Sequence, residues 1–150
     1  MPTHITIRQL TPSDSHVFAQ LVHVFHAVFE NDPATVAPAT HLLHLLHSPH
    51  FAVFAVFADD HIVGGCTTYI LPSYTSQRAE LLIYDLAIHS DYQRQGLASR
   101  LIDTVRIFCA QQQISLFFVL AHADDIPAVE FYRSTGAQLE AVVNALYPIT

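Results

Sequence analysis

The stretch YDLAIHSDYQRQGLASRLID, residues 84–103, passes from an apolar strand through a polar loop into an amphipathic helix. The strand carries one carboxylate, Asp85, and the loop contains Gly96. The first amides of a helix have no intrahelical partners, and the helix dipole favours negative charge at that end. A strand–glycine–helix junction therefore predicts a seat for an anion such as a pyrophosphate, although most glycines at such junctions serve only turn geometry.

The length and composition of the chain predict its domain organisation and its cellular environment. It has 150 residues, 51% of them hydrophobic, which predicts a single domain over 1–150 with a sizeable core. No apolar run is long enough to span a membrane, and no signal peptide is visible at the start, so we expect a cytoplasmic protein with no membrane partner. Cys66 and Cys109 are expected to be buried free thiols.

The charge balance narrows the class of partner. There are 13 acidic residues against 6 basic ones, all arginine, and the net charge is -7. This balance argues against a nucleic-acid partner, which requires a basic face. It fits a small cationic substrate, although acidic surfaces also serve solubility alone.

Hydrophobic periodicity gives the element order β-α-α-β-β-β-α-β-α-β. We predict an α/β (α+β) fold, with a mixed central sheet of six or seven strands flanked by about four helices. The predicted strands lie at 4–10, 51–57, 62–72, 79–88, 114–121 and 138–147, the last segment supplying one or two closing strands. The predicted helices lie at 11–32, 40–47, from 97 onward and at 124–136.

Two separated motifs resemble the GNAT superfamily of acetyl-CoA-dependent N-acetyltransferases. The first is its Arg/Gln-x-x-Gly-x-Gly/Ala signature, and the second is its Asn-x-x-Ala-x-x-x-Tyr element followed by a glycine. In this chain the first motif consists of Gln93, Gly96 and Ala98. The second consists of Asp125, Ala128, Tyr132 and Gly136. Asp125 replaces the usual asparagine, which puts the pantetheine contact normally made there in doubt.

A finer resemblance is to the aminoglycoside 3-N-acetyltransferases of the gentamicin-resistance type. It rests on four segments: Tyr69–Pro72, Tyr84–Ala87, Arg94–Gly96 and Asp125–Tyr132. The resemblance implies transfer of acetyl from acetyl-CoA to the 3-amino group of an aminoglycoside, a role in antibiotic resistance, and a homodimer, which is common among relatives.

The resemblance also implies two sets of binding residues. Acetyl-CoA would be bound by the loop, by the start of the helix that follows it and by the end of the strand that precedes it. Part of the second motif would also contribute. These residues are Leu86, Ala87, Ile88, Gln93, Arg94, Gln95, Gly96, Leu97, Ala98, Ser99, Asp125 and Tyr132. Acids and one tyrosine would bind the cationic acceptor, namely Glu30, Asp32, Glu80, Tyr84, Asp85, Asp124 and Asp125.

Three residues are candidates for the chemistry. Asp85 is the predicted general base, because a carboxylate beside the acceptor amine can take its proton directly or through water. Glu80 on the same strand is the runner-up, and Asp85 could instead be structural, satisfied by backbone donors. Tyr132 would protonate the departing thiolate, or else be a core aromatic with a tethered hydroxyl.

Two further residue groups have ordinary explanations. Asp124 and Asp125 precede a helix, where one of them is expected to cap the N-terminus. The eleven histidines, several at three-residue spacing on predicted helices, lie among leucine and phenylalanine with no acid or cysteine to complete a ligand set, so we expect no metal site.

Two other functions stay open at this point. The chain could be a GNAT enzyme for another small polyamine or amino sugar. It could also be a non-catalytic acetyl-CoA-binding module, against which the intact Asp85, Gly96 and Tyr132 argue.

Overall fold

A computed structural model describes residues 3–150, which form five strands and four α-helices. The strands are β1 (Ile5–Gln9), β2 (Phe51–Ala58), β3 (His61–Pro72), β4 (Ala79–Ile88) and β5 (Ile114–Val119). The α-helices are α1 (Ser15–Phe29), α2 (Ala39–His47), α3 (Leu97–Gln111) and α4 (Ile126–Ser134). Short 3₁₀ turns occur at Pro12–Asp14 and Ser90–Tyr92. All nine elements lie where the sequence pattern predicts them.

The strands form one mixed sheet in the order β1-β2-β3-β4-β5. The pairs β1–β2, β2–β3 and β3–β4 are antiparallel, and the pair β4–β5 is parallel. The crossover between these two parallel strands is α3, as expected for a parallel connection. The chain separates into two compact units, Met1–Leu120, which holds the whole sheet, and Ala121–Thr150, which holds α4. We describe each unit by itself.

A row of small residues seats α1 on the sheet. Gly65 of β3 lies opposite Ala55 of β2 on one side and Ala87 of β4 on the other. A Cβ atom at Gly65 would lie 3.0 Å from both δ-carbons of Leu21, which is fully buried. It would also lie 2.4 Å from the Phe54 carbonyl oxygen. Only glycine therefore allows the helix and the neighbouring strand to approach this closely.

The two faces of the sheet have separate cores. Residues of α1 and α2 pack with alternate residues of β2 on one face, in a cluster that includes Leu21, Phe25 and Val53. Phe54 points to the other face, where its ring meets Phe108 of α3 edge to face at 5.2 Å. Both faces of β2 are therefore covered, which explains its almost continuous apolar sequence.

The expected state of the cysteines is confirmed. Cys66 and Cys109 are both buried and free. Burial raises the pKa of each thiol, that of Cys109 to about 11, so both stay protonated and act as small apolar groups. None of the four helices combines the length and the apolarity needed to cross a membrane within residues 3–150.

The predicted closing strand at 138–147 is absent. Within residues 3–150 the sheet has five strands rather than six or seven, and residues 137–150 have no regular structure. An alternating apolar pattern becomes a strand only where a neighbouring edge takes up its N–H and C=O groups. No such pairing is formed here, and the apolar side chains of Val143 and Ile149 are 92% and 94% exposed.

An ion pair fixes the entry into α1. The Arg8 guanidinium donates two hydrogen bonds to the Asp14 carboxylate, at 2.9 and 3.1 Å. The Thr11 amide also donates to this carboxylate, at 2.7 Å. These hydrogen bonds, above all those from Arg8, lower the pKa of Asp14 to about 2, whereas burial of the carboxyl group acts in the opposite direction. The pair therefore ties β1 to the turn that precedes α1.

We expect Asp14→Asn to destabilise the fold by about 1 kcal/mol at pH 7, a moderate cost because Arg8 is half exposed and solvent screens the pair. A carboxyl with a lowered pKa stabilises the fold above its ordinary pKa of 3.8, and this contribution is lost as the pH falls towards 2. Urea denaturation at pH 7 and pH 2.5 measures the effect, and the two proteins should converge at the lower pH. The control is Asp103→Asn, which removes the exposed ion pair between Asp103 and Arg106, whose charged atoms lie 4.0 Å apart. This substitution should change the urea midpoint little at either pH.

Candidate functional site

A β-bulge changes the direction of β4 at Tyr84. Thr67 of β3 lies opposite Asp85, whereas the next residue, Thr68, lies opposite Ile83, so Tyr84 is an extra residue without a partner. The Asp85 amide donates to the Thr67 hydroxyl at 3.3 Å. Side chains of a regular strand alternate between faces, and a bulge interrupts this alternation. As a result Tyr84 and Asp85, although consecutive, line the same cleft.

This cleft lies on the α1 face of the sheet and has a volume of about 220 Å³. Its walls come from α1, α2 and strands β2 to β4, and most of them are apolar or aromatic. The lining residues are Phe18, Val22, Phe25, His26, Phe29, Asn31, Leu45, Phe51, Thr67, Tyr69, Tyr84 and Asp85. Since Asp85 is the one acid in this set and no arginine belongs to it, the cleft favours a cation with an apolar body.

The carboxylate of Asp85 has no hydrogen-bond or ion-pair partner within residues 3–150; only its backbone amide is engaged. Half-burial of the group raises the pKa of Asp85, because desolvation disfavours the charged form. A raised pKa makes the carboxylate a stronger base at neutral pH. The alternative, an Asp85 side chain satisfied by backbone donors, does not match this environment.

Three aromatic rings form one wall of the cleft beside Asp85. Phe51 meets Tyr69 edge to face at 5.0 Å, and Tyr69 meets Tyr84 edge to face at 5.6 Å. Burial raises the pKa of Tyr69, with smaller contributions from the charges of Tyr84 and Asp85. The wall becomes more exposed towards Tyr84, whose ring is 64% accessible and presents a surface to incoming ligands.

The neighbour of β4 changes at the same place. The parallel ladder between β4 and β5 ends at the pair Ile83–Val119. Beyond it, within the described chain, residues 85–88 pair with β3 and not with β5, so their outer edge faces a gap in the sheet. An extended ligand can add to such an edge as a strand would. Leu86, Ala87 and Ile88, which the family resemblance assigns to acetyl-CoA binding, lie on this edge.

The loop before α3 is built around two residues with positive φ. Arg94 has φ 63° and Gly96 has φ 76°, and no heavy atom lies within 4 Å of the position where a Cβ of Gly96 would stand. The space beside the first amides of α3 is therefore open, as an anion seat requires. The side-chain amide nitrogen of Gln93, Nε2, donates a hydrogen bond to the Ile88 carbonyl at 2.8 Å and so ties the loop back to β4.

These contacts limit what the predicted cofactor residues can do. The Gln93 amide group is already committed to holding the loop. Leu97 is buried in the core, so it can offer a ligand only its backbone amide. Among the remaining loop residues, Arg94, Gln95 and Ser99 are exposed and Ala98 is half-buried. The loop can thus bind an anion through its backbone amides and through the guanidinium of Arg94.

The predicted acceptor-binding acids do not all meet. Glu30 and Asp32 are exposed in the turn after α1, and it is Asn31, between them, that lines the cleft. Glu80 lies on the same sheet face as Tyr84, since it pairs with Leu71 two positions from the Tyr69 pair. At 3.3 Å per residue it is about 13 Å along the strand from Tyr84. Glu80 is therefore outside the cleft, which weakens it as the runner-up base.

In the unit Ala121–Thr150, one of the two adjacent acids is a helix cap. The Asp125 carboxylate accepts a hydrogen bond from the Ala128 amide at 3.2 Å and caps α4, as predicted for one of the pair. Asp124 is exposed. The ring of Tyr132, about two turns of α4 after Asp125, meets the Phe131 ring at 5.2 Å.

Several cleft residues are not among the predicted site residues. Thr67 and Tyr69 reach the cleft because β3 pairs with β4 in a register that the sequence does not reveal. His26 and Asn31 lie at the end of α1. The signal that could have identified His26 is its position on the apolar stripe of α1, next to Phe25 and four residues after Val22.

The histidines of α2 do not form a metal site. His41, His44 and His47 are exposed. Within the described part of the chain, no group of three or more histidine, cysteine, aspartate or glutamate side chains is arranged to hold a metal ion.

Comparison with known proteins decides the family. Residues 18–137 match the profile of the "Acetyltransferase (GNAT) family". The chain belongs to the GNAT acetyltransferase family. Enzymes of this family use acetyl-CoA, so the acetyl-CoA-dependent class implied by the sequence is confirmed, as is the GNAT fold.

Solved structures extend the assignment. An aminoglycoside acetyltransferase from an uncultured soil metagenomic sample, in complex with trehalose, is 36% identical over 97% of both chains, with a TM-score of 0.94. The same enzyme in complex with sisomicin matches at 35% identity. A second such enzyme, also from soil, is 26% identical, covering 98% of this chain and 99% of that one, with a TM-score of 0.93.

A more distant aminoglycoside N-acetyltransferase, in complex with CoA, shares the fold. It is 15% identical, covers 99% of this chain and 98% of its own, and has a TM-score of 0.77. A search among curated proteins gave no significant match.

Because its carboxylate is unpaired and half-buried, Asp85 is expected to lower stability at neutral pH. The folded state holds the carboxyl proton more tightly than the unfolded state, so stability falls as the pH rises from about 4 through the raised pKa. We expect Asp85→Asn to raise the urea midpoint at pH 7 and to differ little from the parent at pH 3.5. Glu80→Gln, which neutralises an exposed acid of the same strand, should change neither midpoint. An Asp85→Asn protein less stable than the parent at pH 7 would contradict this expectation.

Proposed function

We propose that the chain is an acetyl-CoA-dependent aminoglycoside N-acetyltransferase that acts on the 3-amino group. The observation that carries this proposal is the unpaired carboxylate of Asp85 in an aromatic cleft, beside the gap between β4 and β5. The relative that is 35% identical and was solved with sisomicin supports the acceptor class. The choice of the 3-amino group rests on the resemblance of Tyr84–Ala87, Arg94–Gly96 and Asp125–Tyr132.

The acceptor side of the reaction depends on Asp85. An amine attacks a thioester only as the neutral base, so the ammonium form must first lose a proton. Asp85 takes this proton directly or through a water molecule, and its raised pKa suits the task. The aromatic wall and the net charge of -7 favour a cationic acceptor over an anionic one.

The cofactor side depends on backbone groups. Acetyl-CoA supplies the acetyl thioester. The open space at Gly96 and the first amides of α3 suit its pyrophosphate, and the outer edge of residues 85–88, which no strand covers within the described chain, suits its extended pantetheine arm. Tyr132 of α4 is the proposed proton donor for the thiolate that leaves. A cytoplasmic single domain, a homodimer and a role in antibiotic resistance stay predictions.

A panel of acceptors tests the proposal. The purified protein is mixed with acetyl-CoA and with gentamicin, sisomicin, spermidine or glucosamine, and release of the free thiol is followed. We expect turnover with the aminoglycosides at kcat/KM values well above those for spermidine and glucosamine, with acetylation at the 3-amino group by mass spectrometry and NMR. Preference for spermidine or glucosamine would favour another polyamine or amino-sugar enzyme. CoA binding with no turnover would favour a non-catalytic module.

Asp85→Asn tests the general base. The amide keeps the size of the side chain but cannot take a proton, so kcat should fall by about 10²–10⁴. The Kd for CoA, measured by calorimetry, should stay within twofold of the parent, which separates a catalytic loss from a folding defect. Glu80→Gln is the matched control and should keep kcat near the parent value. If Glu80→Gln loses activity instead, the two acids exchange roles.

Gly96→Leu tests the anion seat. The new side chain would enter the open space beside the first amides of α3, so the Kd for CoA should rise more than tenfold. The substitution also introduces strain, because φ is 76°. Gly136→Leu is the control for strain, since Gly136 has φ 98° and equally open surroundings. It should lower stability to a similar extent without comparable loss of CoA affinity. Unchanged CoA affinity in Gly96→Leu would contradict the proposed seat.

A further inference from the structure

In the described chain, the turn that follows α1, residues 30–36, is hydrogen-bonded to the helix through one residue, His26. We propose that His26 is a positioning residue that holds this turn at the rim of the cleft and thereby sets the affinity for the acceptor. The inference rests on the function proposed above. It concerns a residue that touches none of the reacting groups named there.

The backbone of His26 holds the beginning of the turn. Its carbonyl oxygen accepts hydrogen bonds from the amides of Glu30 and Asn31, the latter at 3.0 Å. Glu30 adopts the left-handed conformation, with φ 57°. This geometry ends α1 and turns the chain away from the helix axis. A non-glycine residue in this conformation is uncommon, so the surrounding contacts must hold it there.

The side chain of His26 holds the end of the same turn. Its Nε2 atom lies 2.6 Å from the carbonyl oxygen of Thr35. A carbonyl oxygen only accepts hydrogen bonds, so Nε2 must carry a proton, and in the neutral form of the ring the lone pair is then at Nδ1. Nδ1 is buried and has no partner in the described chain. The ring is thus committed to Thr35, because no alternative bond competes for it.

Between these two attachments, the turn holds itself together. The Asp32 carboxylate accepts a hydrogen bond from the Ala34 amide at 3.0 Å, and the Asp32 carbonyl accepts one from the Thr35 amide at 3.1 Å. Val36, which follows Thr35, packs against the hydrophobic cluster of α1 and α2, so loss of the bond from His26 to Thr35 should loosen the part of the turn before Val36. The same turn carries Asn31, which lines the cleft, and the exposed acids Glu30 and Asp32.

An acceptor with several ammonium groups can place one near Asp85 and another near the acids of this turn. Exposed acids attract such a group only weakly unless their position is fixed, because ordering them costs entropy. His26 supplies that fixation from within α1. Its loss should therefore weaken acceptor binding, while proton transfer at Asp85 and the binding of acetyl-CoA continue.

Three variants of α1 test this inference by steady-state kinetics. His26→Leu removes the donor, His26→Gln restores an N–H donor of similar reach, and His23→Leu changes an exposed histidine one turn earlier. We expect His26→Leu to raise the aminoglycoside KM about threefold to tenfold, the usual effect of one lost hydrogen bond. Its kcat and acetyl-CoA KM should stay near the parent values. His26→Gln should recover most of the loss, and His23→Leu should match the parent. An unchanged aminoglycoside KM in His26→Leu would overturn the inference.

A double-mutant cycle asks whether His26 acts through the turn. Asp32→Asn should raise the aminoglycoside KM in the parent but have less effect in the His26→Leu background, since the carboxylate is no longer held in place. Independent effects that simply add would contradict this route.

Nuclear magnetic resonance tests the attachment without any turnover. In the parent, the His26 ring nitrogens should show a protonated Nε2 and a bare Nδ1. Amide exchange at Ala34, Thr35 and Val36 should be faster in His26→Leu than in the parent and His26→Gln. If no amine is acetylated, the proposed function fails while this measurement still decides the attachment. A ring protonated at Nδ1 alone, or unchanged exchange in His26→Leu, would overturn it.

Discussion

Strand β4 is hydrogen-bonded to two neighbouring strands over only part of its length, and the site depends on where one of these pairings ends. Up to Ile83 it is an inner strand, hydrogen-bonded to β3 and β5; after Ile83 only the bonds to β3 continue. The bulge at Tyr84 lies at this transition. The bulge brings Tyr84 and Asp85 to the cleft, and the end of the β5 ladder leaves the outer edge of β4 without a strand partner beside them. A regular, fully paired strand would have given neither feature.

A buried carboxylate without a partner is unfavourable, so the surrounding structure must be stable enough to hold it. Here the supporting contacts lie away from the cleft chemistry. Leu21 packs against the row formed by Ala55, Gly65 and Ala87, and the pair between Arg8 and Asp14 fixes the entry into α1. The rigid helix and sheet position the reactive group, while the loops beside them remain free to contact ligands. This division of roles is common where stability and activity make opposite demands.

The sequence predicts the elements well because their patterns are local. The amphipathic stripe of α3, the apolar run of β4 and the cap of α4 at Asp125 can each be read from neighbouring residues. The bulge could not be predicted, because it depends on which residue of β3 lies opposite Asp85. For the same reason the sequence does not place Tyr69 in the cleft, and it groups Glu80 with acids that Glu80 does not approach. Residues 138–147 have the alternation of a strand, but an alternating pattern does not supply the neighbour that a strand needs.

The close seat of Leu21 on Gly65 has a consequence for how specificity can diverge in such enzymes. A helix whose approach distance is fixed by a glycine cannot be shifted by single substitutions at the contact, since any Cβ at residue 65 meets backbone as well as side chain. The approach of α1 to the sheet is thus closed to gradual change at residue 65. The turn after α1 and the exposed ring of Tyr84 are under no such restriction. New acceptor preferences should therefore arise by variation at the rim, while the helix and the sheet beneath it stay constant.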